Sequence, residues 1–268
     1  MGMDTRVDTA VITGGSKGIG LAIAEAFAAD GVNVAIAGRD EAALADAEAR
    51  LSKLKGGVLV ARMDVRDYAS VDRLMQDAAA KFGGIDVLVN NASAISVTGT
   101  LETPMKRFDL MHGVNTRGTF ACSQACIPHL ARAANPHILN LSPPLNMEPR
   151  WFGPHVAYTM AKFGMSMCVL GMAEEFRGDG IAVNALWPQT VIATAAVQNL
   201  LGGDEVVRRS RKPEIVADAA HAILTKPSRE FTGRFCIDEQ VLRDEGVEDF
   251  SHYAVDPELD ELIPDFFI

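Results

Sequence analysis

An α/β fold built on a parallel sheet is predicted by three observations. Short apolar runs alternate with helix-periodic segments along the chain. A glycine-rich turn, Thr13-Gly14-Gly15-Ser16-Lys17-Gly18-Ile19-Gly20, joins the first apolar run to the first helical segment. One compositional regime covers all 268 residues, 48% of them hydrophobic. Strand-then-helix repetition with short links specifies parallel strands, because each crossover helix must pack back on the sheet it left.

Taken in order, residues 7–13 are an apolar, strand-like run, and 19–29 carry apolar side chains at helical spacing. Residues 32–37 read as the second strand. Residues 41–54, rich in Ala, Leu and Glu, form a helix that stops at Gly56-Gly57. A third strand at 58–63, a helix at 70–82 and a fourth strand at 85–89 follow. A long helical stretch covers 108–133, strand character returns at 137–141, and a helix at 157–176 leads to a sixth strand at 181–186. A helix at 214–224 and a last strand at 234–237 complete about seven strands with helices on both faces. No linker or low-complexity tract interrupts the chain, so a single domain over residues 1–240 is expected, with 241–268 as a C-terminal tail. That tail is acidic, holds Pro257 and Pro264 and ends in Phe266-Phe267-Ile268. An apolar end needs a docking surface, on its own domain or on a partner subunit.

The 25 Lys and Arg against 35 Asp and Glu give a net charge of −10, which repels phosphate backbones, so no nucleic-acid partner is expected. No stretch reaches the roughly 18 uninterrupted apolar residues of a membrane span. The N-terminal MGMDTRVDTAVIT lacks the basic-then-apolar layout of a secretory signal, and a cytoplasmic location is expected. Cys122, Cys126, Cys168 and Cys236 show no paired zinc spacing, and the six histidines include no His-Glu-x-x-His; no metal is expected.

The first turn carries the chemistry. Glycines between a strand and a helix let the backbone approach a pyrophosphate, and the helix N-terminus offers free N–H groups and partial positive charge. Gly14, Ser16, Lys17, Gly18 and Ile19 are therefore dinucleotide-binding candidates in a Rossmann-type, doubly wound parallel sheet. Gly14-Gly15-Ser16-Lys17-Gly18 also matches the Gly-x-Ser-x-Gly elbow of hydrolases formally. That elbow follows several strands, whereas this one follows the first, and no His-Gly-Gly segment supplies an oxyanion hole. The second strand ends Ala37-Gly38-Arg39-Asp40. A carboxylate there would favour NAD(H), whereas Arg39, with Lys17 nearby, favours the 2′-phosphate of NADP(H). NAD(H) stays the alternative, since both cations could be solvated and Asp40 could neutralise Arg39.

With these residues in place the chain resembles the short-chain dehydrogenase/reductase family over nearly its whole length. The resemblance rests on the TGGSKGIG turn, Asp64-Val65, Asn90-Asn91-Ala92, Asn115, the Tyr158-Thr159-Met160-Ala161-Lys162 segment, and Asn184 leading to Pro188. NNASAIS from Asn90, NTRGT from Asn115, LSPPLN from Leu141, MAEEF from Met172 and the terminal PDFFI are similar to the hydroxysteroid dehydrogenase-like protein 2 branch of that family. Members of that branch can carry a sterol-carrier domain after the dehydrogenase, and the expectation here is the dehydrogenase domain without it.

The resemblance implies an NADP(H)-dependent oxidoreductase acting on a small-molecule carbonyl or secondary alcohol. Asp64, Val65, Asn91, Ala92, Pro188 and Thr190 would join the cofactor site, and Lys162 would hold the nicotinamide ribose. Tyr158 would be the acid/base. It lies one helical turn from Lys162, whose ammonium stabilises the phenolate. Asn115 would help hold a proton-relaying water chain. A homodimer or homotetramer is implied as well.

Three positions depart from the family pattern. The catalytic serine should be the second residue of a Ser-Ser pair, but the pair reads Ser142-Pro143; Ser142 is one residue early, and a one-residue slip along a strand reverses the side chain. Ser93 and Gln189 each replace a glycine. Leu145, Met147, Trp151 and Phe152 could line a hydrophobic substrate site or pack against the subunit. The alternative function is a nucleotide-binding interaction protein with little turnover, because of Pro143.

Overall fold

The computed structural model describes residues 5–259 and 261–268. Seven strands, β1 (Thr9–Thr13), β2 (Asn33–Gly38), β3 (Val58–Arg62), β4 (Val87–Asn90), β5 (His137–Leu141), β6 (Ala182–Trp187) and β7 (Phe235–Ile237), form one sheet in the order β3-β2-β1-β4-β5-β6-β7. Every pairing is parallel. Successive strands run outward one way from β1 to β3, and the other way from β4 to β7. The reversal opens a crevice beyond the C-terminal ends of β1 and β4, where α/β sheets bind their ligands.

The helices are α1 (Gly18–Ala29), α2 (Glu41–Leu51), α3 (Tyr68–Phe82), α4 (Met105–Met111), α5 (Gly118–Leu130), α6 (Val156–Glu175), α7 (Gly203–Arg208), α8 (Glu214–Leu224) and α9 (Asp238–Asp244). On one face of the sheet Leu21, Ile23 and Phe27 of α1 and Ile215, Val216 and Ile223 of α8 pack over Ala10 and Ile12 of β1. On the other, Leu74 of α3, Cys126 of α5 and Val169 of α6 pack over Val11 of β1 and Leu88 of β4. Alternate strand residues thus serve opposite cores. Cover on both faces explains why β1, β4, β5 and β6 are buried along their whole length and read as continuous apolar runs.

The expected seven strands and the helices between them are present. The stretch expected as one helix over 108–133 is α4, a π-helical turn at His112–Arg117, and α5, which ends at Leu130. The helices α7 and α9 were too short to carry a periodic signal. By length and composition α6 could cross a membrane, but 61% of its apolar window is buried inside the protein. It is a core helix.

The tail docks on its own domain. Val191 donates its backbone N–H to Ile263 (2.9 Å), Thr190 bridges to Pro264, and Trp187 Nε1 donates to the Phe266 carbonyl (2.8 Å). Phe267, 1% exposed, inserts between Trp151, Phe163 and Trp187, with ring centroids 5.4–5.9 Å apart.

His137, at the start of β5, is fully buried with Nε2 2.9 Å from the Lys226 carbonyl oxygen, and burial pushes its pKa down to about 4. A lowered folded-state value means that the associated stability is complete above the unfolded value near 6.5 and is lost as pH falls toward 4. Urea denaturation should therefore show about 3 kcal/mol of acid destabilisation in that window, shared with other groups but reduced in His137→Gln. An identical pH dependence in the variant would contradict this.

Candidate active site

The crevice at the switch point is a groove of about 530 Å³. It is lined by Gly14, Ser16, Lys17, Gly18 and Ile19 from the first turn, Arg39 and Asp40 beyond β2, Asp64 and Val65 beyond β3, and Asn91 and Ala92 beyond β4. Its floor leaves no room for side chains. Gly14 has φ +65°, and a Cβ there would lie 2.9 Å from Asn91 Nδ2; at Gly20 it would lie 2.4 Å from the same atom. The N-terminus of α1 has no side-chain cap and no acidic residue in its first turn, so its N–H groups and positive dipole end are available to an anion. A pyrophosphate fits this cradle.

The charges around the groove are sorted. Lys17 Nζ pairs with Asp40 (2.6 Å), and that hydrogen bond holds the Asp40 carboxyl below the usual range. Asp64 is gripped by Arg66 through Nε (3.0 Å) and Nη2, which lowers its carboxyl too. Asp40 therefore neutralises Lys17 in place of Arg39, the partner weighed from sequence. Arg39 is exposed, lines the groove and makes no ion pair among the described residues.

Beside this groove, beyond β5 and β6, lies a smaller cavity of about 190 Å³ where Tyr158, Lys162, Pro188 and Trp187 meet Ile19, Asn91 and Thr194. Tyr158 and Lys162 project together from α6. Lys162 Nζ donates to the Leu141 carbonyl (2.8 Å) and lies 5.0 Å from the Trp187 ring centroid. Burial disfavours the charged form of each, pushing Lys162 down to about 7 and the Tyr158 phenol up. The nearby Asp265 acts on both charges, raising each value.

Asn115, buried in the π-helical turn, spends its side chain on Ala94: Oδ1 accepts from the Ala94 N–H (2.7 Å) and Nδ2 donates to its carbonyl (2.9 Å). It fixes the segment after β4. Ser142 is buried outside the cavity, with Oγ unpartnered among the described residues. Thr190 is likewise buried outside both cavities, next to Pro264; Thr194, four residues on, lines both. Leu145, Trp151 and Phe152 pack in the cluster around Phe267, and Met147 is exposed, so this segment serves packing more than substrate lining. Sequence reasoning missed Thr194, Asp265 and Phe266 in the smaller cavity. Thr194 follows Pro188 closely enough to have been found, whereas nothing in a lone acid near the C-terminus locates it.

Comparison with known proteins agrees with this geometry. The short chain dehydrogenase family model matches residues 8–203. Hydroxysteroid dehydrogenase-like protein 2 of Danio rerio is 56% identical over 267 residues, 97% of this chain and 63% of that protein. The chain thus spans about 63% of the length of this curated relative. A short chain dehydrogenase crystal structure from Mycobacterium thermoresistibile is 49% identical, with TM-score 0.92, over 99% of this chain and 96% of that one. A 7α-hydroxysteroid dehydrogenase complexed with NADH and 7-oxoglycochenodeoxycholic acid is 26% identical, with TM-score 0.77, over 87% of this chain and 94% of that one.

Substituting Gly20→Ala places a methyl against Asn91 and the Gly14 carbonyl. NADPH affinity, read by fluorescence titration, should fall at least about tenfold. Unchanged affinity would show that the turn is not the cofactor cradle.

Proposed function

The chain belongs to the short-chain dehydrogenase family, and from this premise we propose that it is an oxidoreductase that uses NADP(H) to interconvert a carbonyl and a secondary alcohol of a hydrophobic small molecule, with Tyr158 as acid/base. The observation that carries this reading is the convergence of Tyr158 and Lys162 on a cavity adjoining the uncapped α1 groove.

When bound, the cofactor supplies hydride at its nicotinamide ring. Gly14, Ser16, Gly18 and Ile19 would hold the pyrophosphate, and Asp64, Val65, Asn91 and Ala92 would bound the adenosine side. Lys162 would reach the nicotinamide ribose beside Pro188. Tyr158 holds a proton at Oη and delivers it to the carbonyl oxygen, or removes it from the alcohol in the reverse direction. An apolar cavity wall raises the phenol, so the Lys162 ammonium is needed to bring it back toward neutrality. Asn115, its side chain committed to Ala94, would serve the proton relay by fixing the backbone around it. Arg39, without an ion-pair partner among the described residues, is the group that supports NADP(H). A homo-oligomer is supported by apolar side chains exposed along α5 and α6: Phe120, Met160, Met167 and Leu170.

A second reading, a nucleotide-binding protein with little turnover, is favoured by one observation: Ser142 Oγ lies outside the cavity, and the next residue is Pro143. The two readings part on turnover.

For cofactor choice, Arg39→Ala should weaken NADPH about tenfold more than NADH; equal weakening would refute a 2′-phosphate role. In a panel of hydrophobic ketones and alcohols, Tyr158→Phe should lower kcat at least about 100-fold while leaving NADPH affinity within about twofold. A variant at wild-type rate would remove Tyr158 from the chemistry.

A further inference from the structure

The smaller cavity contains a carboxyl for which the reaction derived above has no use. Asp265 comes from the C-terminal tail and lines the cavity together with Tyr158 and Lys162. Its backbone is fixed from several sides. Its N–H donates to the Gln189 carbonyl (3.2 Å), Pro264 bridges to Thr190, and the Phe266 carbonyl takes Trp187 Nε1. The carboxyl is fixed as well, since Oδ1 accepts the Phe266 N–H at 2.6 Å. Behind it the Phe267 ring is locked among aromatic side chains that include Tyr158 itself (6.4 Å between centroids). An acid delivered this way is an ordered part of the cavity wall.

Besides Tyr158 and Lys162, two further polar side chains of the cavity are committed elsewhere. Asn91 Nδ2 donates to the carbonyls of Thr13 and Gly14. Trp187 Nε1 is taken by Phe266. Ser93 and Thr194 also line the larger groove, on the cofactor side. Asp265 lines the smaller cavity and not the larger groove. The expected serine hydroxyl is missing from this cavity, which Leu141 lines and Ser142 does not.

We propose that Asp265 is a substrate-orienting residue: its carboxyl, with one oxygen held by Phe266, donates from the other to the substrate carbonyl oxygen, supplying the hydrogen bond that Pro143 cannot. The assignment rests on the oxidoreductase reading above. Asp265 keeps its proton throughout; Tyr158 transfers the proton that the product gains. A carboxylic acid held neutral by an apolar site can act as an oxyanion donor in this way. Burial is the main force favouring the neutral acid and raises its pKa to about 7; the Asp238 carboxylate at the start of α9 acts in the same direction, while the Phe266 N–H and the Lys162 ammonium oppose it. The titratable neighbours are thus Tyr158 and Lys162 on α6 and Asp238 on α9, with His155 packed against the Phe266 ring (5.2 Å). The donating form is the protonated one, so carbonyl reduction should decline as pH rises through about 7.

The test compares Asp265→Ala and Asp265→Asn in the full chain, with NADPH and a hydrophobic ketone that the wild type reduces. Asp265→Ala should lose about 100-fold in kcat/KM with NADPH affinity within about twofold. Asp265→Asn retains an N–H donor that does not titrate; it should keep kcat/KM within about fivefold and lose the decline near pH 7. An alanine variant within about threefold of wild type overturns the proposal. So does equal loss in both variants with the pH profile unchanged, the mark of a merely structural residue, and so does a decline near pH 7 that persists in Asp265→Asn, which assigns it to Lys162. If the wild type reduces no ketone, the oxidoreductase reading fails and this assignment falls with it; that result is read on wild-type protein and is distinct from a failure in the variants.

Discussion

Beyond the C-terminal ends of β1 and β4 the chain closes a small polar clamp, and both cavities depend on it. Asn91 donates from Nδ2 to the carbonyls of Thr13 and Gly14, each at 3.0 Å, while Thr13 Oγ1 accepts the N–H groups of Asn91 and Ala92. These groups leave the sheet where no further strand partner is available, and leaving them unpaired in a partly buried position would cost about 1–3 kcal/mol each. The clamp holds the glycine turn against the β4 loop. That contact sets the floor of the larger groove and the boundary that it shares with the smaller cavity.

A deeper layer supports the clamp. Asn90 donates to Asn140 Oδ1 (2.9 Å) and Ser123 Oγ (3.1 Å), and Asn140 donates to the Met165 carbonyl on α6 (3.2 Å). A buried chain of amides therefore ties β4 and β5 to the helix that carries Tyr158 and Lys162. These buried bonds fix the helix relative to the sheet, while Asn90 Oδ1 has no partner among the described residues. The electrostatics are equally local. The protein carries a net charge of −10, yet the α1 N-terminus and Arg39 present positive potential in the groove, because Asp40 and Asp64 are each paired with a cation.

The layers of the fold were legible in sequence because two-sided burial writes itself as continuous apolar strands and one-sided burial as helical periodicity. The glycine turn was legible because few other arrangements require it. The pieces that escaped depend on tertiary placement. The π-helical turn at Asn115 leaves the apolar pattern of its neighbours almost intact, so 108–133 read as one helix. Thr190 and Thr194 differ by four residues in a loop without periodicity, and only the path of the chain decides which one reaches the cavity. Asp265 was invisible for a stronger reason. The apolar end is expected to dock, on its own domain or a partner, but its position over the Tyr158 helix follows from hydrogen bonds to Gln189, Val191 and Trp187, none of which a sequence pattern encodes.

The proposed function requires one event, transfer of hydride from a cofactor in the larger groove to a substrate in the Tyr158 cavity. Incubating the protein with NADPH dideuterated at C4 of the nicotinamide and a set of hydrophobic ketones, then analysing the alcohols by mass spectrometry, tests it directly. The alcohols should be one mass unit heavier, carrying a single deuterium on the carbinol carbon. NADPH bound with micromolar affinity and no deuterium transferred to any ketone would contradict it.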